Sequence, residues 1–172
     1  EGICMSQVIS PAEQKQIRLD RMRYTKNTLS SRLTLLAIVF DVLYFVSIYS
    51  TDVGSWYYTF LIGISIVYNL VFMLMAFLAS EGVKSYRIGY AWLLLALSAG
   101  QIIRIFILPL QAYTATVTIS KVTYPVMQTP QFIYVVVMLI LSAVCCLIAG
   151  IAGIKRSLTL KNYTASLSEK AA

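Results

Sequence analysis

The most strongly polar side chains deep inside the apolar runs of this chain are Asp41, Asn69, Gln101 and Arg104. In hydrocarbon such groups either form interhelical hydrogen bonds or handle ions, protons or solutes. Asp41 is the costliest. A central Asp costs up to about 3.5 kcal/mol on an insertion scale, and each Leu, Ile, Phe or Val returns about 0.3–0.6 kcal/mol. Leu33, Leu35, Leu36, Ile38, Val39, Phe40, Val42, Leu43, Phe45, Val46 and Ile48 outweigh it by a thin margin. Asp41 is therefore expected to face protein or water rather than lipid.

Its partner is sought by depth, at about 1.5 Å of rise per helical residue. Counted from the inner ends of the apolar runs, Asp41 lies roughly 13 Å deep, Asn69 roughly 18 Å, Gln101 roughly 21 Å and Arg104 roughly 25 Å. A direct Asp41–Arg104 pair has to close about 12 Å, more than one Arg side chain spans. Asn69 is the expected partner of Asp41. Arg104 is expected to snorkel outward or to meet Asp52. Two readings of the set stand: Asp41, Asn69 and Gln101 line a proton- or solute-handling cavity, or they are interhelical hydrogen bonds worth about 0.6–2 kcal/mol each.

Other chemistry is thin. The chain has no histidine and three cysteines, which excludes His-dependent catalysis and His-containing metal sites. Cys145 and Cys146 are adjacent within an apolar run and read as packing residues, and Cys4 stands far from them. No Gly-rich phosphate loop, paired carboxylates or nucleophile elbow occurs. No enzyme activity, cofactor or metal is expected. The Asn162-Tyr163-Thr164 sequon falls on the side expected to be cytoplasmic and is discounted.

The elements carrying these residues follow from hydropathy. Of 172 residues, 59% are hydrophobic and 12% charged, half the usual share of charge, and mean hydropathy is +0.76. Spans are expected at about 33–50, 56–80, 88–110 and 131–154, each near the roughly 20 residues a membrane crossing needs. The fold class is all-α: a polytopic membrane protein, a four-transmembrane-helix bundle with an N-terminal amphipathic helix and a short extracytoplasmic loop or hairpin. The chain divides into an N-terminal segment (1–31), the bundle (32–154) and a tail (155–172). No signal peptide is read at the start, and Met5 is a candidate first residue.

The N-terminal helix is expected over 10–31. Ser10, Pro11 and Glu13 form a capping box with Pro at N1. Lys15, Arg18, Arg21, Arg23, Lys26 and Arg32 suit an anionic leaflet or simply set topology. Lys84 and Arg87 lie in the second connection, Lys121 in the third, none in the first, and Lys155, Arg156, Lys161 and Lys170 in the tail. The net charge of +7 thus reads as topology rather than nucleic-acid binding, with both termini cytoplasmic, at the plasma membrane. Tyr49, Trp56, Tyr57 and Tyr58 mark the outer boundary, and Tyr86, Tyr90 and Trp92 the inner one.

The third connection alternates apolar residues with Thr and Ser over 113–120, a strand pattern that needs a partner strand. That partner is 122–127 of the same loop or another protein. Tyr113, Val117, Ile119 and Tyr124 form the candidate docking loop. Small residues Ala96 and Gly100 on the third span, and Ser142, Cys146, Ala149 and Gly153 on the fourth, mark faces for close helix packing. Expected partners are membrane lipids and other membrane subunits or further copies of this chain. The leading expectation is an accessory or structural subunit of a membrane complex. The alternative is a small oligomeric transporter or channel using the polar residues around Asp41.

Overall fold

The computed structural model describes residues 10–49, 56–119 and 122–171. Helix α1 (Pro11–Tyr24) begins at the expected capping box: Ser10 Oγ accepts from the Glu13 N–H, and Glu13 accepts from the Ser10 N–H. It stops before Asn27, short of the expected 31. Four long apolar helices follow, as expected: α2 (Thr28–Tyr49), α3 (Trp56–Lys84), α4 (Ile88–Ile107) and α6 (Thr129–Ala171). Between α4 and α6 come the short α5 (Pro109–Thr114) and an antiparallel hairpin of β1 (Thr116–Ile119) and β2 (Val122–Pro125). Pro109 has no N–H for the helical ladder, so α4 ends there and α5 starts afresh.

The bundle closes as a ring. α2 packs on α3 and α6, and α4 packs on α3 and α6, leaving α2 and α4 on one diagonal. The inward positions repeat at alternating steps of three and four. On α2 they are Ser30, Thr34, Ala37, Asp41, Tyr44 and Ile48; on α3, Ser65, Asn69, Phe72, Ala76, Ala79 and Val83. On α6 they are Val135, Leu139, Ser142, Cys146, Ala149 and Gly153. This is the seam of a coiled coil, sustained by small residues that let backbones approach. A Cβ on Gly150 would lie 3.1 Å from the Ala91 carbonyl and 2.8 Å from Leu95, so α4 and α6 meet closely there. Ala96 instead faces outward, off the packed face assigned to it, while Gly100 sits against the Tyr68 hydroxyl.

The turn between α3 and α4 is tight. Tyr86 takes a left-handed conformation (φ 57°), and the Arg87 N–H reaches the Gly82 carbonyl, a Schellman-type stop with Tyr where Gly is usual. The Asn27 N–H donates to the Lys84 carbonyl, which brings the start of α2 level with the end of α3. Asn27 is fully buried, and its side chain donates to Ser30 and accepts from Arg156. Beyond this end of the bundle, α6 continues without a break and α1 runs beside it. The contacts step from Asn27–Arg156 to Asp20–Tyr163, where the Tyr163 hydroxyl donates to the carboxylate at 2.7 Å, so the two helices are antiparallel. α1 buries none of its residues. The hairpin lies at the opposite end, where Tyr113 of α5 stacks on Phe132 of α6 at 4.4 Å. The side chains of Tyr49, Trp56, Tyr57, Tyr58, Val117, Ile119 and Tyr124, with Cys4, Met5, Asp52 and Lys121, lie outside the described residues.

Candidate functional site

Two apolar clusters fill the bundle, one around Phe72, Ala76 and Leu94, the other around Tyr44, Leu139 and Met127. Between them lies a polar layer. Asp41 of α2 is fully buried, and its Oδ1 accepts two hydrogen bonds from α4, one from Gln101 Nε2 (2.9 Å) and one from Arg104 Nη1 (3.0 Å). Asp41 and Arg104 therefore form a salt bridge across the diagonal of the bundle. This corrects the expectation that they stay apart.

The error lay in the helix start. α2 begins at Thr28 rather than near Leu33, because the polar residues of its first turns are buried against one another and against α3. Thr34 donates to the Ser30 carbonyl, and Ser31 shares a 2.8 Å hydrogen bond with Ser80. Counted from the true ends, Asp41 and Gln101 both lie about 20 Å in and Arg104 about 24 Å in, a gap of about 4 Å that the guanidinium spans.

Arg104 does not snorkel outward; it is 4% exposed. Its Nη2 donates to Ser65 Oγ of α3 at 3.0 Å. The guanidinium carbon lies 4.2 Å from the ring centre of Tyr44 and 4.8 Å from that of Tyr68, so two aromatic faces enclose the cation. Gln101 also reaches Ser142 Oγ of α6, at 3.4 Å, and Ser142 donates to the Ala37 carbonyl of α2. The layer thus joins all four long helices.

It is not saturated. Among the described residues, Asp41 Oδ2, Gln101 Oε1, Arg104 Nε and both side-chain atoms of Asn69 are buried without a hydrogen-bond partner. Asn69, expected to meet Asp41, lies one turn from Ser65 on the inward face of α3 and makes no such bond. Ser65, Tyr44 and Tyr68 were missed altogether, although the alternating three-and-four spacing places Ser65 and Tyr44 on the inward faces. The expected packing residues Ser142, Cys146, Ala149 and Gly153 are all buried. Cys145 and Cys146 are free thiols, and no group of three or more His, Cys, Asp or Glu side chains suited to a metal ion occurs among the described residues.

A cleft of about 260 Å³ between α3 and α4 leads from the outer face of the bundle to Ser65, Tyr68 and Arg104. The chain is a multi-span membrane helix bundle with a buried polar and salt-bridged layer at its centre. No known protein family, curated protein or solved structure matches it.

Proposed function

We propose that this chain is a small transporter or channel that works as an oligomer, moving a proton or polar solute through the layer around Asp41. One observation carries the reading: the intramembrane charges converge. Asp41, Gln101, Arg104 and Ser65 meet at one level and leave buried donors and acceptors without partners. Converging, incompletely paired groups are what a pathway needs, since fixed ones have no bond to exchange. The small-residue face of α6, which favoured a subunit docking to other proteins, is spent inside the bundle on α2 and α4. Four spans are few for an alternating-access unit, hence the oligomer. The Lys and Arg distribution supports termini in the cytoplasm, and the protein acts without catalysis or cofactor.

The test is flux. Purified protein in liposomes holding a pH-sensitive dye is challenged with a pH step, and wild type is expected to dissipate the gradient. Asp41→Asn, checked for helicity by circular dichroism, is expected to slow it at least tenfold. Unchanged flux and unchanged pH dependence in Asp41→Asn exclude proton handling by this residue. Stoichiometric foreign proteins in a mild-detergent purification return the subunit reading to first place.

A further inference from the structure

The α3–α4 seam is the least extensively packed of the four in the ring, and the cleft opens there. Its walls are apolar: Ile64 on α3, and Ile103 and Ile107 on α4, each more than half of full exposure or at it. Gly100 makes room, since a Cβ there would lie 2.6 Å from the Tyr68 hydroxyl oxygen. The cleft's lining is almost wholly apolar, and the few polar groups at its inner end belong to three side chains that carry donors, Ser65, Tyr68 and Arg104. Arg104 keeps Nε without a partner among the described residues. Ser65 accepts from Arg104 and keeps its own hydroxyl proton to donate. The phenol of Tyr68 completes the set.

We infer that this cleft binds, sideways from the bilayer, the neutral carbonyl head of a membrane-soluble molecule such as a lipid quinone. The walls face hydrocarbon, so the ligand arrives from the membrane. The inner end offers hydrogen-bond donors, so its head is an acceptor. The positive charge of Arg104 is already matched by Asp41 at 3.0 Å, so an anionic head would leave a net negative charge in a low-dielectric site. A phospholipid head is also excluded by reach, because Ser65 lies roughly 13 Å along α3 from Trp56. The volume is below the roughly 300–1,000 Å³ of pockets that enclose a whole small molecule. The head and the first part of the tail occupy the cleft, and the rest of the tail stays in lipid. This rests on the transport reading only for what the ligand is used for; binding itself is a separate measurement.

The test uses the full chain in mild detergent and a benzoquinone carrying a photoreactive alkyl tail, with cross-linked peptides mapped by mass spectrometry. Labelling is expected on α3 and α4 flanking the cleft. It is expected to be competed by decylbenzoquinone, and not by decanoate or decane. Ile103→Trp, at an exposed wall position that leaves the core intact, is expected to reduce labelling at least tenfold, and Ser65→Ala at least threefold. Val137→Trp, also at an exposed position but on α6, is expected to change nothing. Labelling spread evenly over the outer faces of α2 and α6, competition by decanoate as strong as by the quinone, or wild-type labelling of Ile103→Trp each overturns the inference. Lost labelling with flux intact removes this ligand and leaves the transport reading standing; lost flux with labelling intact does the reverse.

Discussion

Replacing Asp41 by Leu strands Arg104. The guanidinium keeps Ser65 and its two aromatic faces, but its counter-charge is gone. Two hydrogen bonds to a charged acceptor are lost, at about 1.5–3 kcal/mol each. Breaking one side of a buried pair costs about 3–5 kcal/mol, and that range is expected for Asp41→Leu. Arg104→Met is expected to cost a similar amount by leaving a buried carboxylate with only Gln101. The double variant removes both charges together, and exchange of a buried pair for apolar residues of similar volume is near neutral. A double-mutant cycle is therefore expected to show coupling of about 3 kcal/mol or more, over a hundredfold in the unfolding equilibrium. The assay is reversible unfolding of the detergent-solubilised protein by increasing SDS, followed by circular dichroism. Single variants that each cost under about 1 kcal/mol and simply add in the double variant would refute a tightly coupled central pair.

Other regions give further tests. Tyr86→Gly relieves a left-handed non-glycine residue at the end of α3 and is expected to stabilise the protein by about 1 kcal/mol, read in the same unfolding assay. Gly150→Val forces apart α6 and the Ala91 carbonyl, an overpacking expected to cost about 1–3 kcal/mol, whereas Ala96→Val at an exposed position is expected to stay within about 0.5 kcal/mol. The Ser10 backbone N–H, and then its hydroxyl, hold the Glu13 carboxyl below the usual carboxylate range. Its folded-state pKa is depressed, so its support for α1 is present above the unfolded pKa and is lost as pH falls through the folded one. Protection factors for the first-turn amides of α1, corrected for the intrinsic pH dependence of exchange, are expected to fall on acidification in wild type, and Glu13→Gln is expected to leave them independent of pH.

The large features were readable because they rest on long sums. Four apolar runs of membrane-crossing length cannot hide, and α2, α3, α4 and α6 appear where hydropathy puts them. Ser10 and Glu13 announce the start of α1 by local chemistry alone. The hairpin followed from alternation, and the partner strand is the second half of the same loop. Boundaries were less readable, for a physical reason. Ser30, Ser31 and Thr34 look like a polar margin to a hydropathy sum, yet they satisfy one another inside the bundle. Starting α2 at Leu33 displaced Asp41 by about 7.5 Å and hid its pairing with Arg104. The better ruler was present in the sequence. The steps from Ser30 through Thr34, Ala37, Asp41 and Tyr44 to Ile48 keep one register, and those from Ser65 to Val83 keep the same one on α3. Asn27 carried no such signal, because its ties to Lys84 and Arg156 join segments distant in sequence.

Helix α6 has 43 residues, and no proline interrupts it after Pro130. At 1.5 Å per residue it is about 65 Å long, roughly twice the hydrocarbon thickness of a bilayer. Ser142 sits in the polar layer, and Tyr163, bonded to Asp20, lies about 31 Å farther along the same rod. A stiff rod converts rotation into displacement. Tilting α6 by about 10° at Ser142 moves Tyr163 by about 5 Å, far more than its hydrogen bond to α1 tolerates. The junction of α1 and α6 is therefore a lever tip, where a rearrangement too small to see at the charged pair becomes a broken contact outside the bundle.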